Sequence, residues 1–270
     1  MTTSCKAGFT LVELSIVLVI IGFLAGGVVV GKDLIKAAEI RSQISQIQEY
    51  NTATNTFKMK YNYLPGDMPP SEATAFGFSN AFFDGCNNNT RDGVAIGNAD
   101  GFITDVYNLV GWGTAYDRGE PMLFWLDLEA AKLVKTSLAT LLSACVITTP
   151  YPNPIAKLGN NNFIVVSSVG AARKANSFLI QKNNPMGGLF NGTLAISPLE
   201  AQAIDGKIDD GLPLVGKVTV CNAVYCSPQS ASAANGNCMT ALANPSPYNT
   251  TVPDYANTPS CWLNIQFGTQ

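Results

Sequence analysis

Gly8-Phe9-Thr10-Leu11-Val12-Glu13-Leu14-Ser15-Ile16-Val17-Leu18-Val19-Ile20-Ile21-Gly22 is the stretch that decides how this 270-residue chain is built. A short polar leader with one cation, Lys6, runs into Gly8, and the apolar sequence that follows is interrupted by a single carboxylate, Glu13. The 18 residues from Leu14 to Gly31 carry no charge. At ~1.5 Å rise per residue that run spans most of a bilayer core and predicts a membrane helix. A plain anchor leaves Glu13 unexplained, because an ionisable group at the edge of such a helix is costly and points to function.

Working outward, the helix changes character from Lys32. Ile40, Ile44, Ile47, Asn51, Thr54, Phe57 and Tyr61 follow spacings of three and four, which describe one face of an amphipathic helix. Lys32, Lys36, Glu39, Arg41, Gln43, Gln46 and Glu49 fall largely elsewhere. One unbroken helix from Phe9 to about Lys60 is expected, its first half facing lipid or a partner and its second half facing a globular domain. A helix lying in the membrane interface is the alternative. Gly22, Gly26, Gly27 and Gly31 form small-xxx-small spacings that permit close helix approach and also weaken the helix, so packing and melting both stay open. Tyr63-Leu64-Pro65-Gly66-Asp67-Met68-Pro69-Pro70 ends it.

The segment Gly8 to Glu13 resembles the processing site of type IV prepilins and of the pilin-like proteins of type II secretion. The resemblance implies cleavage after Gly8 by a prepilin peptidase, methylation of the new amine on Phe9, and a Glu at the fifth mature position, which Glu13 occupies. It implies a leader at 1–8, a membrane and assembly helix at 9–60, and a globular head at 61–270. The implied fold is α+β, a long N-terminal helix (transmembrane, then amphipathic) packed on a small antiparallel sheet with long disulfide-tied loops. Less specifically, Leu64-Pro65-Gly66-Asp67 and Ile204-Asp205-Gly206-Lys207-Ile208-Asp209-Asp210-Gly211-Leu212-Pro213 resemble stretches of large pilin-like sequences. Family pilins often carry a proline in the first half of the helix, and none stands here.

The function this implies is a structural subunit of a type IV pilus filament. A pseudopilin of a type II secretion or DNA-uptake system is the alternative, and a membrane-tethered enzyme or binding protein is a more distant one. Partners would be further pilin subunits, the prepilin peptidase and an inner-membrane assembly platform. The chain would sit in the bacterial inner membrane as a single-pass precursor, then in a surface pilus or a periplasmic pseudopilus. A secretory signal competes through the small residues of Gly22 to Gly27, but a signal core has no use for Glu13. An acid in lipid costs several kcal/mol. Pairing with the amine of a neighbouring subunit would relieve that, and a close pair at intermediate dielectric is worth ~4 kcal/mol before desolvation.

Composition narrows the chemistry. Of the residues 47% are hydrophobic and 13% charged, and loss of Lys6 with the leader leaves 15 basic against 19 acidic residues. That balance gives no electrostatic footprint for a specific nucleic acid. The absence of histidine removes every Ser-His-Asp, Cys-His and His-metal site, and no catalytic residue and no cofactor are predicted.

Seven cysteines sort by position. Cys5 lies in the leader, leaving Cys86, Cys145, Cys221, Cys226, Cys238 and Cys261. An even count in a segment placed outside the inner membrane suggests disulfides, with Cys238–Cys261 favoured; free buried cysteines are the alternative, and zinc is disfavoured. Asn98-Ala99-Asp100-Gly101-Phe102-Ile103 resembles the middle of a calcium loop, with Asn98 and Asp100 as candidate ligands and Asp92 or Asp105 assisting. Ile96 and Tyr107 stand where acidic ligands belong, so an ordinary turn competes. Asp205, Asp209 and Asp210 offer either a cation site or a turn that accepts backbone amides.

In the head a long irregular region is expected up to about Gly119. Glu120 to Val134 reads as a mostly buried helix, with Trp125 as core. Residues 163–169 and 177–181 read as strands joined by a hairpin loop at 170–176, Lys217 to Cys221 as a further strand, and Ser227 to Ser260 as mostly loop. Ser197-Pro198-Leu199-Glu200 is a helix start with cap, proline and reciprocal acid.

Overall fold

Thr10 caps the helix that dominates the computed structural model, α1 (Leu11–Tyr61), by accepting the Glu13 amide. The structure describes residues 10–83, 88–104, 119–135, 153–159, 162–169, 175–182, 194–221, 237–240, 247–252 and 256–268. At 51 residues α1 is ~75 Å long. It runs unbroken through Gly22, Gly26, Gly27 and Gly31, so the glycines do not interrupt it in the isolated chain. Lys58 and Lys60 stand in its last turn, where cations favour the helix dipole, and Asn62 ends it in the left-handed region at φ 64°.

The two halves of α1 are unequal. Leu11 to Val30 lie exposed, whereas Ile40, Gln43, Ile44, Gln46, Ile47, Tyr50, Ala53, Thr54 and Phe57 are buried against the head. The observed stripe corrects two expectations. Asn51 is exposed and Tyr61 only half-buried, because the face that meets the sheet centres on Tyr50 and Phe57. Gln43 and Gln46, placed off the face by polarity, are buried. Their Oε1 atoms accept the amides of Leu158 and Lys157 at 3.0 Å each, and Gln46 Nε2 donates to the Ile155 carbonyl at 2.9 Å. These bonds stitch α1 to residues 153–159, and a buried amide that finds partners costs little.

Below α1 lies a four-stranded antiparallel sheet in the order β3-β4-β6-β5, made of β3 (Asn162–Val169), β4 (Ala175–Lys182), β5 (Val218–Cys221) and β6 (Trp262–Phe267). β3 and β4 form a hairpin in register from Asn162↔Lys182 to Val169↔Ala175. The final strand β6 inserts between β4 and β5, pairing Phe178↔Ile265 on one side and Val218↔Ile265 on the other. Residues 262–267 carry the alternation Leu263, Ile265, Phe267, which marks a strand that the sequence reading above does not place. The expected irregular region contains α2 (Pro70–Ala75) and a two-stranded hairpin of β1 (Ala81–Phe83) and β2 (Asn88–Thr90). Helix α3 (Glu120–Ala130) ends four residues before the expected boundary, and α4 (Pro198–Ile208) starts at the capping box of Ser197 and Glu200.

An aromatic cluster joins the layers. Tyr50 of α1 meets Trp125 of α3 edge-on at 4.9 Å, and Phe178 of β4 stacks on Phe267 of β6 at 4.3 Å. Trp125 and Phe178 are fully buried, so the tryptophan is core. Such pairs add ~0.5–1.5 kcal/mol beyond area burial. Lys36 reaches Glu200 at 2.8 Å and fixes α4 against α1 just beyond its exposed apolar half.

Cys238 and Cys261 are joined with their Cα atoms 5.2 Å apart, closing a separation of 23 residues beside β6. Cys221 ends β5 opposite Trp262, and Cys86, Cys145 and Cys226 lie outside the described residues. Replacing Cys238 and Cys261 together by Ser is expected to lower stability by ~2–4 kcal/mol, the usual effect of losing a loop of this length. Thermal unfolding of the full chain in detergent measures it, and an unchanged midpoint would show that the bond adds nothing to the native state.

Candidate functional site

The first site is the start of α1. Gly8 and Phe9 lie outside the described residues; Thr10 and Glu13 are described. Glu13 Oε2 accepts both the Thr10 amide and the Thr10 hydroxyl at 2.8 Å, and Thr10 Oγ1 accepts the Glu13 amide at 3.3 Å. This capping box satisfies two donors that a helix start otherwise leaves open. It was legible as Thr-x-x-Glu and is absent from the sequence reading, which treated Glu13 as lacking a partner in its own chain. Both bonds fall on one oxygen, and among the described residues nothing donates to Oε1. Beyond it the helix has an 18-residue window of mean hydropathy 2.7 with none of that window buried, long and apolar enough to cross a membrane.

The second site is the corner where the chain leaves α1. Gly66, at φ 86°, sits so close to α3 that a Cβ would run into the Glu120 carbonyl, and its amide donates to Asp127 Oδ2 at 2.7 Å. Arg91, fully buried, forms a salt bridge with Asp127 and donates to the carbonyls of Met68 and Ser79 at 3.2 Å. Burial raises the Asp127 carboxyl, and the guanidinium and the Gly66 amide oppose it. Glu120 gathers the other side: Oε1 accepts the Gly97 amide at 2.8 Å, and Oε2 accepts the Thr104 amide at 2.7 Å and its hydroxyl at 2.9 Å. Desolvation pushes Glu120 up to about 8, against those hydrogen bonds and with help from the nearby Asp67. Asp67, itself raised to about 6 chiefly by burial, accepts the Gly101 amide at 2.9 Å. The network ties residues 66–104 to α3. It is a fastening, with no nucleophile–base pair. In the sequence Leu64-Pro65-Gly66-Asp67 reads as a helix breaker and as a stretch resembling large pilin-like sequences, and no local pattern marks Arg91 as the partner of Asp127, 36 positions away.

Asn98 and Asp100 stand on this corner's exposed edge. Asp100 Oδ1 accepts the Phe102 amide at 2.8 Å and Asn98 Oδ1 accepts the Asp100 amide at 3.1 Å, so these oxygens shape an Asx-type turn. Asp92 accepts the amides of Val94, Ala95 and Ile96, and Asp105 and Tyr107 lie outside the described residues. Asp205, Asp209 and Asp210 bring carboxylate oxygens within 4.8 Å of one another. Each also accepts a hydrogen bond from within the chain: Asp205 from the buried Tyr248 hydroxyl at 2.8 Å, Asp209 from the Lys217 amide, and Asp210 from the Leu212 amide at 2.8 Å.

Residues 3–29 match the family model of the prokaryotic N-terminal methylation motif, the type IV prepilin-like signal. The match covers Gly8, Phe9, the capping box and the first part of the exposed helix, and ends well before the head. No curated protein and no solved structure matches the chain.

The corner predicts a pH dependence. Glu120 binds its proton more tightly folded than unfolded, so its contribution to stability is complete below its ordinary value and is lost as pH rises through about 8. The unfolding midpoint is expected to fall between about pH 5 and about pH 8, and Glu120→Gln is expected to cut that slope roughly in half. A slope identical in the two proteins would mean that Glu120 is already ionised in the fold.

Proposed function

We propose that this chain is a structural subunit of a type IV pilus filament, processed after Gly8 and assembled through α1. The observation that carries the reading is Glu13 at the head of a bare apolar helix that also bears the methylation motif. The motif marks a pilin-like or pseudopilin chain, membrane insertion follows from it and the helix, and multimer formation is what such chains undergo. The finer assignment to a surface pilus is our own.

Cleavage between Gly8 and Phe9 leaves an ammonium four residues before Glu13. Thr10 occupies Glu13 Oε2, and among the described residues none donates to Oε1, which a donor from outside can take. A second subunit shifted by about one helical turn along the axis supplies its own amine there. The pair removes an isolated charge from lipid, the condition that favours assembly over dispersal in the membrane. Among the described residues the core of the head closes on the distal half of α1, leaving the first half for neighbouring helices.

Glu13→Ala is expected to insert and to be processed as the parent chain is, yet to be lost from filaments. Mass spectrometry of mechanically sheared surface material beside the membrane fraction reads this out. In the parent, a peptide beginning at methylated Phe9 and abundant in the sheared material supports a pilus. The same peptide confined to membranes assigns the chain to a pseudopilus. Filaments of normal yield from Glu13→Ala would remove the role given to the carboxylate.

A further inference from the structure

Beside the distal half of α1, where it crosses the end of the sheet, lies a groove of about 630 Å³. Its rim carries three exposed lysines from three elements: Lys58 of α1, Lys207 of α4 and Lys217 ahead of β5. Asn51, Asn55 and Gln266 add amides between them, and Ile47 and Ile265 form part of an apolar floor. Among the described residues no acid lines this groove, and none of the three lysines makes a salt bridge. In a chain with 19 acidic and 16 basic residues, such a cluster is the exception. Like charges held together around a desolvated floor disfavour the isolated molecule and favour an anionic occupant.

The matching charge lies on the same helix. Glu49 is exposed and makes no salt bridge among the described residues; it borders a shallow depression with Thr52 and Thr56, beside Leu133. Nine residues separate Glu49 from Lys58, two and a half helical turns, so the acid and the lysine project from opposite flanks of α1. They cannot meet within one chain. They can meet between chains in a heterologous, head-to-tail contact, which repeats along a filament without closing.

We infer that the lysine groove receives the Glu49 flank of a second copy of this chain. The inference rests on the filament reading above and gives it a second, extramembranous contact. The axial shift that sets one copy's Phe9 amine beside its neighbour's Glu13 has the right sense: it moves the outer copy's Glu49 from level with residue 49 to level with residue 53 of the inner copy. The axial gap to Lys58 thereby shrinks from nine residues to five. Charge complementarity of this kind fixes register and rejects the reversed orientation more than it adds raw affinity.

The test uses the full chain in cells that make the filaments, with Glu49→Lys, Lys58→Glu and the two combined. Each single reversal is expected to lower the subunit recovered in sheared filaments about ten-fold, with its level in membranes unchanged. The double reversal is expected to restore most of the yield, which a general loss of folding would not allow. Singles that assemble like the parent, or a double no better than the singles, would overturn the groove's role while the filament reading stands. A parent chain absent from sheared material removes that reading and the groove's occupant with it. A photo-crosslinker placed at Asn55 supplies the second readout: an adduct with another copy of the chain supports the inference, and an adduct formed with a different acidic protein or an anionic polymer contradicts it.

Discussion

The burial of a single stripe on the distal half of α1 governs the rest of the molecule. From Ile40 the apolar residues of this 51-residue helix narrow to one face, which is covered by α3 and β4 where Tyr50 meets Trp125 and Phe178, and by Phe78 where it packs on Phe57. Helical stability in water comes mostly from such packing rather than from propensity. The head is therefore what makes the distal half a helix in water, and the distal half is what gives the sheet its second layer. The proximal half has neither support nor need of it, since in an apolar medium every backbone hydrogen bond is already internal.

The corner at Gly66 solves a different problem. A chain that leaves a long helix and returns toward the sheet exposes backbone donors and acceptors in the interior, and each must find a partner. Here the partners are charged side chains: Arg91 collects carbonyls, while Asp127 and Glu120 collect amides. Asp127 is balanced by Arg91, whereas among the described residues no cation pairs with Glu120, which burial holds largely protonated at neutral pH. Its Thr104 hydroxyl neighbour can reverse its hydrogen bond to accept that proton, so the neutral form remains satisfied.

The exposed surface of α1 is of two kinds, a bare apolar first half and polar flanks on its distal half. The head closes on one side of the helix and leaves the opposite arc, from Gln48 through Thr52 to Met59, open. Glu49 and Lys58 border that arc from its two sides.

Local signals determined a great deal. The charge-free run after Glu13, the spacing from Ile40, the Pro-Gly break after Tyr63 and the Ser197–Glu200 box each act within a few residues, and each is where the periodicity or capping chemistry of the chain places it. The residues that resemble a prepilin processing site are equally local, and the methylation-motif match covers them. What only the tertiary structure decided involves partners far apart in the chain. Gln46 and Lys157 are 111 positions apart, Arg91 and Asp127 are 36, and β6 pairs with β4 at separations of 83 to 91 and with β5 at 41 to 47. Whether a glutamine is buried or an asparagine exposed depends on which backbone arrives opposite it, and spacing along the chain carries no record of that. Glu13 is the local counterexample: its Thr-x-x-Glu spacing carries the capping box, because both partners sit within one helical turn.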